Sequence, residues 1–481
     1  MSDLVGLSRP LPAGPLVNPD IAPTALENRT WSRWHFASLW VGMSVCIPTY
    51  MLAASMIEAG MNWWQSLLVI LLGNAIVLIP LVINAHAGTR YGIPFPVFAR
   101  ASFGWKGAHV PSLLRSIVAC GWFGIQTWIG GLALHALLAL IWDGWAMLGG
   151  DASFMGYSPS HFLAFGLFWL INMHFAWHGT ESIKWLETVA APLLLLIGIA
   201  LLGWAVTAVG SLGEVLAGSR RLGAGDGTGA PFGALFIPWL TAMVGYWATL
   251  SLNIPDFTRY ARSQSDQVWG QAIGLLTTMP LFAFVGIVVT SATVLLFGEA
   301  IWNPIDLVTR LTAGGSRWLG VAAMAALMLA TLSTNIAANV VAPANSISNL
   351  APSRISFRIG GMIAGTVGIL IFPWRLLDAY QTWLISYSGL LGAVAGVMVC
   401  DYWWVRRFRL ELEDLYSERG AYAYRGGVNR AAMIALGAGI ATALAGRAHA
   451  SVSFLFDGAW FSAGAMAFAV YALLMRTRRA A

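Results

Sequence analysis

Leu39-Trp40-Val41-Gly42-Met43-Ser44-Val45-Cys46-Ile47-Pro48-Thr49 reads as an apolar helix with a proline set inside it. Pro48 carries no N–H, so the carbonyl four residues earlier, at Ser44, loses its helical partner. In water, solvent would fill that gap. In hydrocarbon, freed carbonyls must be met by protein or must line a polar cavity.

The surrounding sequence places this stretch in a membrane. Segments free of Asp, Glu, Lys and Arg recur at Ala59–Thr89, Ser116–Trp142, Thr188–Gly213, Gln267–Gly298 and Trp318–Ser353. Each exceeds the roughly 20 residues that cross a bilayer. Over 481 residues the chain is 58% hydrophobic and 10% charged, with mean hydropathy +0.70. A soluble fold does not hide that much apolar surface. The pattern predicts an all-α membrane protein of about twelve transmembrane helices. Their starts fall near Phe36, Ser66, Leu113, His161, Glu187, Ala234, Gly270, Trp318, Phe357, Tyr380, Asn429 and Val452.

Basic residues test that count, because loops facing the cytoplasm are enriched in Lys and Arg. With the amino terminus inside, most of the 27 fall inside, including Arg90, Arg100, Lys106, Arg115, Arg259, Arg262, Arg354, Arg358 and the run from Arg406 to Arg430. Arg220, Arg221, Arg310, Arg317, Arg375 and Arg447 fall outside. The expected location is the cytoplasmic (inner) membrane, multi-pass, with both termini cytoplasmic. The expected organisation is a cytoplasmic segment 1–33, a ten-helix core 34–400, a cytoplasmic loop 401–428, two further helices 429–476 and a tail 477–481. No removable signal peptide is evident in the polar, proline-rich start. The net charge of +6 matches basic loops beside anionic membrane lipids and calls for no nucleic acid.

Enzyme chemistry finds no support. The sequence has no HExxH or GxSxG pattern, so the reading is not an enzyme. Gly210–Gly233, outside, is among the least hydrophobic internal stretches; within it Gly223–Gly229 lacks the Gly-Lys-Ser/Thr of a phosphate loop and reads as a flexible external loop. Cys46, Cys120 and Cys400 sit in apolar stretches and suggest no disulfide framework.

Three spans carry polar chemistry instead. The sixth, Pro238-Trp239-Leu240-Thr241-Ala242-Met243-Val244-Gly245-Tyr246-Trp247, sets a glycine beside two aromatics. If ten helices form two inverted repeats of five, spans one and six correspond, and paired interruptions mark a transporter's central site; simple kinks are the plainer reading. In the third span, Trp122 and Gln126 lie one helical turn apart on one face, suited to a polar planar ligand. The eighth carries Ser333, Thr334, Asn335 and Asn339. Its hydroxyls either bond back to their own helix or, with the carbonyls of Ala330, Gly42 and Val45, offer about five neutral oxygens to a sodium ion.

Asn18-Pro-Asp-Ile-Ala-Pro, Ile47-Pro-Thr-Tyr, Gly60-Met-Asn-Trp-Trp-Gln, His86-Ala-Gly-Thr-Arg-Tyr-Gly-Ile-Pro-Phe-Pro-Val, Arg100-Ala-Ser-Phe-Gly, Gly121-Trp-Phe-Gly-Ile-Gln-Thr-Trp, Asn253-Ile-Pro-Asp-Phe-Thr-Arg and Asp401-Tyr-Trp resemble the nucleobase/cation symporters, which include hydantoin, allantoin, cytosine and uracil permeases. The resemblance implies a leucine-transporter-like fold with a five-plus-five inverted repeat and broken helices one and six. It implies that Trp122 and Trp247 stack on either side of a planar heterocyclic substrate. Gln126 and Asn339 would bond its edge, and Cys46 and Gly245 would border it. Cys46 is a departure, because some members carry an amide there. The family's sodium site falls on Gly42, Val45, Ala330, Ser333 and Thr334. The implied activity is sodium-coupled import, with no cofactor beyond the coupling ion; the expected working unit is a monomer. Proton coupling is the alternative, with Glu58, Glu187, Asp256 and His178 as candidates, and a membrane receptor or embedded enzyme is the remote one.

Overall fold

The computed structural model describes the chain apart from residues 1–3, 9–10, 12–13, 179, 225–229, 314–315 and 480–481; side chains of 179–191, 219–229 and 477–481 are also outside the description. The Glu187 side chain and most of Gly223–Gly229 thus lie outside the described residues.

Twelve helical spans follow in order among the described residues: Arg33–Ser44 with Ile47–Glu58, Trp63–Tyr91, His109–Ile141, Pro159–His178, Thr180–Val209, Phe232–Tyr246 with Ala248–Asn253, Gln264–Phe297, Arg317–Asn339 with Val341–Ser348, Phe357–Leu370, Tyr380–Val399, Arg430–Ala448 and Ala459–Arg479. Eight helices are long and apolar enough to cross a bilayer unaided, or nine with the bent first pair. The remainder fall short for visible reasons. Span 6 is cut by its break, span 9 is brief, and span 4 is diluted by His161, Asn172, His174 and His178.

Local chemistry sets the ends. Asn62 and Gln65 form a reciprocal capping box at the start of span 2, and Ser263 accepts from the Asp266 amide at the start of span 7. Gly92, at φ 69°, closes span 2 in the left-handed region that favours glycine. The two halves of span 1 meet at 58°. Val45 and Cys46 leave helical geometry there, with Cys46 fully extended at φ −149° and ψ 159°.

The structure departs from the sequence reading in four places. Span 8 is also interrupted, at Val340, because Pro343 cannot donate to the Asn339 carbonyl. A helix that the sequence reading did not place, Leu212–Ala224, occupies the external stretch after span 5. The twelfth span begins at Ala459 instead of near Val452, since Ala450–Val452 and Phe454–Asp457 form separate short turns. The helix of span 10 runs on into a wide turn, Cys400–Val405, past the expected core boundary.

At the arginine-rich end, the segment before span 1 is drawn across the bundle. The Arg259 guanidinium donates to the Asp20 carbonyl at 3.1 Å and the Thr24 hydroxyl at 2.8 Å, while Arg29 reaches the carbonyls of Thr24, Arg90 and Val5. Asn18 donates to Pro352 at 2.6 Å, and Tyr416 to Ile21 at 2.7 Å. These buried guanidiniums replace water with carbonyl acceptors.

Candidate functional site

Spans 1, 6 and 8 converge with the unbroken span 3 on one cavity beside their breaks. Its walls include Met43 and Cys46 from span 1, Trp122 and Gln126 from span 3, Tyr246, Trp247 and Thr249 from span 6, and Thr334 and Asn339 from span 8. Six of the residues singled out from sequence, Cys46, Trp122, Gln126, Trp247, Thr334 and Asn339, therefore share it. Gly245 does not line it. A Cβ there would meet the Leu384 carbonyl at 2.8 Å, so this glycine serves the close approach of span 10.

Each indole is held by a different part of the molecule. The Trp122 N–H donates to the Tyr387 hydroxyl at 3.1 Å, which in turn donates to the Gly245 carbonyl at 2.8 Å. The Trp247 N–H donates to Asn74 Oδ1 at 3.0 Å and reaches Met279 Sδ at 3.0 Å, while Trp40 packs edge-on against its ring at 5.0 Å. Trp122, on span 3, is thus tied to span 10 and through Tyr387 to span 6, and Trp247 to spans 1, 2 and 7.

Tyr246 was not anticipated. Its ring lies 5.0 Å from Trp122 at 76° and 4.7 Å from Trp247 at 85°. Its hydroxyl sits 3.2 Å from Cys46 Sγ and 3.1 Å from Thr49 Oγ1, joining the two broken helices. The cavity that remains is about 30 Å³, room for about one water. A planar ring is larger than this space, so side chains of the wall must move to admit one. The signal available in the sequence was the place of Tyr246 between Gly245 and Trp247 at the break.

The amides are unequal. Gln126 Oε1 is buried and has no partner among the described residues. Asn339 donates to Asn335 Oδ1 at 3.0 Å, and Asn335 donates to Thr127 at 3.0 Å and to Asn172 at 3.1 Å. Asn335, which sequence reasoning grouped with the site, orients Asn339 from behind.

Beside the cavity lie the residues expected to hold an ion. The Ser44 carbonyl freed by Pro48 is taken by the Cys46 amide at 3.1 Å in a tight turn. The carbonyls of Gly42 and Val45 accept no N–H among the described residues. Thr334 Oγ1 donates to the Ala330 carbonyl at 3.2 Å, and Ser333 is buried close by at 5% exposure. Back-bonding leaves the Thr334 oxygen's lone pairs free. The set is neutral and oxygen-only, chemistry that suits a hard monovalent cation. No cluster of three His, Cys, Asp or Glu that could hold a metal occurs among the described residues.

Of the proton candidates, Asp256 lies in the short turn Pro255–Thr258 beyond span 6 and not at the cavity. Its Oδ1 accepts from the Phe95 amide at 2.9 Å. Burial pushes its pKa up to about 6, against the pull of the Phe95 amide, Arg115 and Arg259.

This fold and central cavity define a multi-pass membrane transporter with the leucine-transporter-like architecture of two inverted five-helix repeats. The family described as permease for cytosine/purines, uracil, thiamine, allantoin matches residues 23–469, and the chain belongs to it. It is 45% identical to the purine-uracil permease NCS1 of Arabidopsis thaliana over 90% of this chain and 72% of that protein. It is 40% identical to the allantoin permease of Bacillus subtilis over 96% and 93%. Its structure matches Mhp1, a nucleobase-cation-symport-1 family transporter solved closed with bromovinylhydantoin bound, at TM-score 0.78 and 29% identity over 96% of this chain and 95% of that one. The chain is a permease and not an enzyme.

Proposed function

We propose that this permease imports a planar nucleobase, ureide or hydantoin across the cytoplasmic membrane by sodium-coupled symport, with both termini cytoplasmic. The carrying observation is the buried, unpartnered Gln126 Oε1 in a cavity walled by two tryptophans, beside the open carbonyls of Gly42 and Val45.

Substrate recognition divides between stacking and hydrogen bonding. Trp122 and Trp247 offer flat apolar faces to any planar ring. Gln126 and Asn339 orient its lactam or ureide edge, since an amide both donates and accepts. Cys46 adds only a weak partner. Sodium binds Gly42, Val45, Ala330, Ser333 and Thr334, neutral oxygens that include the freed carbonyls of span 1. Ordering that break shapes the Cys46 wall, so ion and ring raise each other's affinity by the same factor. Closure around both ligands draws Trp122 and Trp247 onto the two faces of the ring. The site then opens to the inside without any chemistry on the substrate.

Uptake of labelled uracil, cytosine, allantoin and a benzyl hydantoin in proteoliposomes, with and without a sodium gradient, tests this reading. At least one is expected to accumulate only with sodium. Sodium-independent accumulation that a protonophore abolishes transfers the coupling role to a proton and removes the ion assignment.

A further inference from the structure

Far from the cavity, a second site is built where spans 10 and 12 end on the arginine-rich side. After Val399 the chain takes the wide turn Cys400–Val405 and then reverses, with Arg407 and Phe408 at φ 49° and 62°. Positive φ at two successive non-glycine residues is costly and is kept only where the surroundings demand it. The consequence is a division of labour between neighbouring arginines. Arg406 turns inward onto the fully buried Asp401 at 2.7 Å, where Tyr471 and Ser102 complete the carboxylate's bonds. Arg407 turns outward, and with Arg476 of span 12 it edges a cleft of about 390 Å³.

Neither Arg407 nor Arg476 has an ion pair or hydrogen bond among the described residues, and no carboxylate lines the cleft. Asp401, the nearby acid, is already committed. Trp403 and Trp404 form another wall, 45% and 50% exposed, with ring centroids 6.1 Å apart, and Val405, Met475 and Ala472 complete the lining. Exposed indoles at the end of a span belong at headgroup depth. The volume falls in the range of small-ligand sites, roughly 300–1,000 Å³.

We infer that this cleft binds the headgroup of an anionic phospholipid. The two guanidiniums take the phosphate oxygens, where Arg forms forked, charge-assisted bonds. The indoles and Met475 cover the glycerol and the first methylenes. Free phosphate makes no use of that apolar wall, and a zwitterionic lipid cancels the charge that the arginines leave unmet. The site clamps spans 10 and 12 to the membrane boundary, independently of which substrate or ion occupies the central cavity.

The test uses the purified full-length protein in detergent, with native mass spectrometry and thermal unfolding after addition of phosphatidylglycerol, phosphatidylcholine or inorganic phosphate. Phosphatidylglycerol is expected to bind and to raise the unfolding temperature, and the other two are not. Arg407→Gln and Arg476→Gln are each expected to weaken phosphatidylglycerol binding about fivefold, and the pair more than either alone. Arg409→Gln, exposed on the same stretch but outside the cleft, serves as the charge control and is expected to change it less than twofold. Equal weakening by Arg409→Gln, equal binding of phosphatidylcholine, or full replacement by inorganic phosphate overturns the inference. Because Arg407 and Arg476 are both exposed, each single variant is read independently, and loss of folding in the double variant leaves the test intact.

Discussion

The first and sixth spans break at corresponding places in the two repeats, yet the breaks are finished differently. In span 1 the extended Cys46 turns its own amide to Ser44 and its carbonyl to the Thr49 amide, which leaves the Gly42 and Val45 carbonyls without N–H partners among the described residues, and the helix bends by 58°. In span 6 the interruption is confined to Trp247, and the Gly245 carbonyl takes the Tyr387 hydroxyl at 2.8 Å. One break stays chemically open, which suits an ion. The other is sealed by the protein and becomes a rigid mount for aromatic rings. Repeat symmetry fixes where helices break, and the neighbouring side chains decide what each break can bind.

The largest expected effect strikes the sealed side. Trp122→Ala removes the indole that Tyr387 locks, and ligand-induced quenching of tryptophan fluorescence is expected to vanish; an unchanged titration places the ring elsewhere. Gln126→Ala takes away a cavity acceptor, and a polar group left unpaired costs about 1–3 kcal/mol. Substrate affinity is therefore expected to fall about 5- to 150-fold, with the sodium dependence of what remains unaltered. On the open side, Thr334→Ala is expected to raise the sodium concentration for half-maximal binding about tenfold or more. Sodium-free substrate binding should move less than twofold, and equal losses in both assays would merge the two breaks into one function.

The smallest effect lies outside both breaks. Asp256, with its pKa raised to about 6, favours the folded state most when protonated. That contribution is full below the unfolded carboxyl pKa of roughly 4 and fades as pH rises through about 6. Thermal unfolding at pH 5 and pH 7 is expected to show a downward slope in stability that Asp256→Asn flattens. A matching loss of sodium dependence in that variant would instead connect the turn to coupling.

How much of this was legible follows from range. Pro48 announced the first break because a missing N–H acts over four residues, and Trp122 with Gln126 announced a shared face because helical periodicity acts over the same distance. Pro343 carried an equally local signal for the break in span 8, overlooked beside the polar run before it. Tyr246 is different. That its ring would fill the space between two indoles depends on span 6 lying beside span 3 and its hydroxyl meeting Cys46, 200 residues away in sequence. Likewise, nothing adjacent to Asn335 says that it will bond Asn172 and Thr127 and leave Asn339 to face the cavity.

By itself, then, the sequence determined the membrane environment, the succession of spans, the broken first helix and the kinds of group available at mid-membrane. These follow from hydropathy and from backbone bonds that close within one turn. Only the tertiary structure decided that Tyr387 seals one break while the other stays open, that Tyr246 reduces the cavity to about the size of one water, and that Arg406 pairs inward while Arg407 faces out. Those outcomes hinge on partners brought together from distant spans, and packing, unlike periodicity, leaves no local mark on the chain.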